Sequence, residues 1–109
     1  MAFRVVLDAN VLFGHASRDQ HLWLAEAELY DPVWSSEILD EVVTSLAQKG
    51  VMSADKASAL RGLIDSTFDE ASVSSEAVAA LTPCMCNEAD DRHVLAAAVA
   101  AGAGAIVTN

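Results

Sequence analysis

Basic residues are scarce in this chain. Six Lys and Arg stand against 16 Asp and Glu, a net charge of −10 over 109 residues. Proteins that grip nucleic acid by its phosphates usually carry a basic stripe that releases counterions. Here Arg4, Arg18, Lys49, Lys56, Arg61 and Arg92 are scattered singly. A polyanionic substrate would need bound cations to supply the missing positive charge, and the same balance suits a basic protein partner. No run approaches the ~20 apolar residues of a membrane span, and no basic-then-apolar leader opens the chain, so a cytoplasmic protein without membrane association is expected. Only two cysteines occur, Cys84 and Cys86. They lack Cys or His partners at zinc-site spacing and read as reduced bystanders. Internal repeats, linkers and low-complexity segments are also missing, so the length implies one domain with one core. With 53% hydrophobic and 20% charged residues, the chain is globular and not disordered.

The chain is organised around its opening, Arg4 to Phe13. Val5-Val6-Leu7 is a short, β-branched apolar run, the pattern of a strand buried on both faces in a parallel sheet. It ends on Asp8, where open α/β sheets place their ligands, beyond the carboxyl ends of the strands. Asp is also a good helix N-cap, and at this point both readings stand. Ala9 to Phe13 begins a short helix with Gly14 as its stop. His15 to Gln20 reads as a polar loop, and Leu22 to Tyr30 as a helix closed by Asp31-Pro32. Val33-Trp34 is a brief second strand, with Ser35 or Ser36 capping the next helix. In that helix Ile38, Leu39, Val42, Val43 and Leu46 share one face, and Gly50 ends it. Ser53 opens another, with Ala57, Leu60, Ile64 and Phe68 on one stripe. A third strand is expected near Ala71 to Val73, a short helix at Ser75 to Leu81, and an alanine-rich helix from about Ala89 to Ala101. Ala105 to Thr108 is a final buried strand. The expected fold is therefore α/β, a parallel sheet of about four strands with right-handed helical crossovers.

Three acids stand out. On a helical projection of the last helix, Asp91 falls close to the centre of the face formed by Val94, Leu95, Ala98 and Val99, while His93 points nearly opposite, towards water. A carboxylate on a buried stripe is costly unless something pairs with it. The alternative is that Asn87, Glu88, Asp90 and Asp91 only complement the helix N-terminus, which suits Glu88 and Asp90 best. Asp40 and Glu41 occupy opposite flanks of their helix, and geometry alone does not separate them. Were Asp8, Glu41 and Asp91 to converge, they could stay ionised together only around a cation. Oxygen-only ligands favour Mg2+ or Mn2+ over Zn2+, ions that promote phosphodiester hydrolysis.

With these residues in place, the chain resembles the PIN-domain nucleases, of the kind found as VapC-type toxins of toxin–antitoxin pairs. Val6-Leu7-Asp8-Ala9-Asn10-Val11-Leu12 resembles the family's strand-Asp-x-Asn/Thr opening. Ser36-Glu37-Ile38-Leu39-Asp40-Glu41-Val42 resembles its Ser-x-x-Leu-x-Glu helix, which matches Glu41 and not Asp40. Asp91 to Ala98, running on to Ile106-Val107-Thr108, resembles its Asp-helix-strand-Thr segment. The resemblance implies a three-layer α/β/α fold and a Mg2+- or Mn2+-dependent endoribonuclease. Asp8, Glu41 and Asp91 would be its catalytic, metal-binding acids, and Asn10 and Thr108 polar supports of the site. It also implies an RNA substrate, a cognate antitoxin and a homodimer. Family members continue past the Thr with Asn or Asp and then Asp-Phe, whereas Asn109 is the last residue here. The comparison thus implies a single domain short of a fourth acid and of its last edge strand, with weak metal affinity and reduced nuclease activity.

Two other functions compete. A catalytically impaired PIN-like domain could act through its antitoxin and dimer surfaces. Phosphoryl transfer through an aspartyl intermediate, in the Asp-x-Asp manner, is disfavoured because Asn10 stands where the second acid belongs. Arg18 is the one basic residue placed near the site, and it reads as a solvated surface arginine. Trp23 and Trp34 suit a core or an interface better than base stacking.

Overall fold

Val5, Val6 and Leu7 are all buried although successive strand residues point to opposite faces, so the strand that carries them is covered on both sides. It is the middle strand. A computed structural model describes residues 3–84 and 92–107. Within them β1 (Arg4–Leu7) is followed by α1 (Ala9–Phe13), α2 (His15–Glu26), β2 (Asp31–Val33), α3 (Ser36–Gln48), α4 (Ala54–Thr67) and α5 (Ser75–Leu81). A 3-10 turn (Thr82–Cys84), α6 (Arg92–Ala101) and β3 (Ala105–Val107) complete the described elements. The strands are parallel in the order β2-β1-β3, with Val6 opposite Val33 on one side and Ile106 on the other.

The expected α/β class with a helix-flanked parallel sheet is thus present, with three strands among the described residues. The segment expected as a further strand, Ala71 to Val73, is reduced to a single parallel bridge between Trp34 and Ser72. Trp34 N–H donates to the Ala71 carbonyl (3.1 Å) and Val73 N–H to the Trp34 carbonyl (2.9 Å). The second strand also begins two residues earlier than expected, because Asp31 N–H donates to the Phe3 carbonyl (2.8 Å). Pro32, which lacks a donor, is tolerated there because β2 borders the sheet.

The strongly patterned helices lie where their sequences put them. Ser35 caps α3, its hydroxyl accepting from Ile38 N–H at 3.2 Å, an interaction typically worth about 1 kcal/mol. Ile38, Leu39, Val42 and Leu46 are buried along α3, and Gly50 follows its end with φ +70°. Ser53 caps α4 in the same manner. Trp34 is completely buried, meeting Phe68 edge-to-face at 5.8 Å between ring centroids.

The exception is α2, which starts at His15 where a loop was expected and ends at Glu26, before Tyr30. Its buried residues are Arg18 and Ala25, so no apolar stripe announces it. Glu28, with φ +64°, turns the chain out of the helix. Tyr30 then folds back, its hydroxyl donating to the His21 carbonyl at 2.5 Å.

Burial pushes the Tyr30 phenol above its ordinary value of 10.0. The neutral form is the one favoured by folding, so its contribution is complete below pH 10.0 and is lost as pH rises through the raised value. Because Tyr30 is the only tyrosine, phenolate absorbance reports it alone. That absorbance should appear at higher pH in the folded protein than in urea, and Tyr30→Phe should remove the matching alkaline loss of stability. Superimposable folded and unfolded titrations would refute this account of Tyr30.

Candidate functional site

Asp8 occupies the turn from β1 into α1 and is 9% exposed. Its N–H donates to the Val107 carbonyl (3.1 Å), which ties the turn to β3. Its carbonyl accepts from Val11 N–H (3.0 Å) and Leu12 N–H (3.3 Å), starting the helix. Its Oδ1 accepts from Ala9 N–H at 2.7 Å. The cap reading is therefore realised, and at the very place where an α/β sheet presents ligands. One carboxylate occupies both positions.

The same edge of the sheet receives α3 and α6. Because the strands are parallel, α3, which follows β2, starts at their carboxyl ends. The far end of α6 is held at the amino edge: Arg4 Nη1 donates to the Ala101 carbonyl (2.7 Å), and Gly104 N–H to the Arg4 carbonyl (2.8 Å). The start of α6 therefore points back to the carboxyl edge. There His93 meets α3, with Nε2 2.5 Å from Glu41 Oε1 and Nδ1 3.8 Å from Glu37 Oε2. These contacts are close enough for charge pairing, yet neither ring nitrogen has the alignment of a hydrogen bond.

This corrects the expectation that His93 faces water, since it is 7% exposed. The buried arc of α6 comprises His93, Val94, Ala96, Ala97 and Ala98, while Val99 is 53% exposed. The face deduced from Val94, Leu95, Ala98 and Val99 is therefore rotated from the true one, and with it the premise that singled out Asp91. The cause is packing on two sides: Ala96 and Ala97 close against Val78 of α5, while Val94 and Ala98 join the main core. Small alanines permit that approach but weigh little in a hydrophobic projection. Asp91 and Thr108 lie outside the described residues. Asn10 is exposed on the first turn of α1.

The structure separates the two acids of α3. Asp40 is an ion-pair partner of Arg61 Nη1, and Arg61 Nη2 also donates to Ser36 Oγ (3.2 Å), fastening α4 to α3. Glu41, on the other flank, is the one that faces α6. Among the described residues, no group of three or more His, Cys, Asp or Glu is arranged to hold a metal ion. A cleft of about 630 Å³ lies elsewhere, at the amino edge near Arg4, Asp31 and Ala101.

The Arg18 expectation also fails. Arg18 is 6% exposed, and its Nη1 donates to the carbonyls of Leu12 (3.0 Å) and Phe13 (3.2 Å). Its Nη2 lies 3.2 Å from His15 Nδ1. It closes the end of α1, whose last carbonyls have no partner within the helix. No spacing rule could have revealed this, because the acceptors are backbone atoms. Trp34 is core, as the sequence suggested, and Trp23 is 68% exposed.

Comparison with protein families decides the relationship, for the PIN domain model matches residues 4–109. The chain belongs to the PIN domain family. PIN domains are generally metal-dependent nucleases. Neither the curated proteins nor the solved structures yield a match. No helix among the described residues of this PIN domain is long and apolar enough to cross a membrane.

Arg18→Ala leaves the Leu12 and Phe13 carbonyls without their buried, charged donor. It should cost on the order of 2–3 kcal/mol in urea unfolding. Arg18→Lys should recover only part, since an ammonium cannot reproduce the planar fork. A loss within about 0.5 kcal/mol, the range of an ordinary surface substitution, would disprove this role.

Proposed function

We propose that this PIN domain is a cytoplasmic Mg2+- or Mn2+-dependent endoribonuclease, acting as the toxin of a toxin–antitoxin pair. The observation that carries the reading is Asp8, a buried carboxylate fixed at the carboxyl end of the middle strand, at the edge where α3 presents Glu41. Two carboxylates with water and substrate oxygens suit a hard divalent cation, which is commonly held by one or two protein acids. Asp8 and Glu41 would hold it together with Asp91, and Asn10 and Thr108 would support the site. When bound, such an ion supplies Lewis-acid activation and charge neutralisation for phosphodiester hydrolysis.

The contribution of the chain is to orient. Asp8 is held by backbone hydrogen bonds on both sides, so its carboxylate meets little reorganisation on binding. Glu41 projects from a helix that Ser35 caps and Arg61 braces. With Arg4, Arg18, Arg61 and Lys49 engaged by other groups of the fold, on Ala101, Leu12 and Phe13, Asp40 and the Phe13 ring, the bound cation would also attract the RNA.

A second reading, action through protein contacts with little turnover, draws on the amino-edge cleft. Glu26, Glu28, Asp31, Asp69 and Glu70 line it, a surface suited to a basic partner such as the antitoxin. The homodimer belongs to the same resemblance.

One assay decides between the readings. Cleavage of single-stranded RNA should stop with EDTA and return with Mn2+. Asp8→Asn should lower it on the order of 100-fold or more with unchanged circular dichroism, because Asn caps a helix about as well as Asp. Metal-independent RNA breakdown, or full activity in the Asn variant, would defeat the nuclease assignment.

A further inference from the structure

Among the described residues, His93 is the buried polar group that core packing leaves unexplained. It is 7% exposed, neither ring nitrogen completes a hydrogen bond, and both nitrogens face carboxylates of another helix. An imidazole kept for packing alone would be replaced with advantage by an apolar side chain, because burying unsatisfied polar atoms costs free energy. What the ring does accomplish is visible at Glu41. That side chain is 48% exposed and, as a glutamate, has rotamer freedom to lose when it is ordered. The Nε2 contact at 2.5 Å engages one defined oxygen, Oε1, while Glu37 Oε2 at 3.8 Å stands on the other side of the ring.

We propose that His93 is a positioning residue for Glu41. It holds the carboxylate on the carboxyl edge of the sheet before a cation arrives. Backing groups of this kind orient ligating side chains at metal sites, and their loss weakens metal binding without removing a ligand. Glu37, whose Oε2 lies 3.8 Å from Nδ1, stands on the other side of the ring, so both carboxylates that face His93 come from α3. The inference rests on Glu41 as a cation ligand, and its test separates the two ideas.

The measurement is Mn2+ affinity, followed by the paramagnetic resonance of free Mn2+ over the purified full chain, so that no turnover is needed. His93→Leu, close in volume but without polar atoms, should weaken binding on the order of 10- to 100-fold, whereas His93→Gln, whose amide can occupy the Nε2 position, should stay within about threefold of the parent. In a Glu41→Gln background, His93→Leu should add nothing, since the two substitutions remove one coupled unit. If His93 only filled space, Leu would bind Mn2+ as well as or better than Gln, and that result overturns the proposal. An equal loss with and without Glu41 overturns it too, while leaving the metal reading intact. Should Asp8→Asn and Glu41→Gln both bind Mn2+ like the parent, the metal reading fails and the role of His93 falls with it. If His93→Leu does not fold, His93→Asn takes its place. Its shorter amide cannot reach Glu41 from the Nε2 position, so it should weaken binding as Leu would, and parent-like affinity in both Asn and Gln variants refutes the positioning role.

Discussion

The turn at Asp8 is held from three directions, and the rest of the carboxyl edge depends on it. Its amide is tied to β3, its carbonyl starts α1, and its side chain accepts from the first amide of that helix. Each bond satisfies a backbone group that burial would otherwise leave wanting. Together they fix where the middle strand stops and the direction in which α1 leaves it. Arg18 then closes the other end of α1 by bonding the carbonyls of Leu12 and Phe13. A five-residue helix is too short to persist alone. Here it persists because both termini are provided for.

Charge is distributed by the same logic. In a chain of net charge −10, the cations are placed where the fold needs donors. Arg4 bonds the last residue of α6, Arg18 bonds the end of α1, Arg61 joins α4 to α3, and Lys49 lies 4.9 Å from the Phe13 ring centroid.

Much of this was legible in the sequence, and the failures share a cause. β1, α1, α3, α4 and α5 were readable because large apolar side chains or serine caps mark them, and because such signals are local. The α2 helix was not, since what it buries is chiefly Arg18, whose acceptors are backbone carbonyls that no pattern records. Nor was the orientation of α6, where alanines and a histidine face inward and Val99 outward. Projection weights size and apolarity, while a helix wedged between α5 and the sheet selects for smallness. Glu41 could be told from Asp40 by motif but not by geometry. The structure supplies the missing distinction, one acid bound to Arg61 and the other facing His93.

The sheet joins strands in an order unlike their order along the chain. Val5 pairs with Ala105, and Leu7 with Val107, so the middle strand waits for a partner a hundred positions away. Pairing of such separation is slow, because loop closure must be met before any contact rewards it. The amide of Asp8 finds its acceptor only when β3 arrives. During synthesis, the helices marked by local signals can form early, but the carboxyl edge is assembled last. The Asp8 turn therefore takes its final form only once residues a hundred positions further along have joined the sheet.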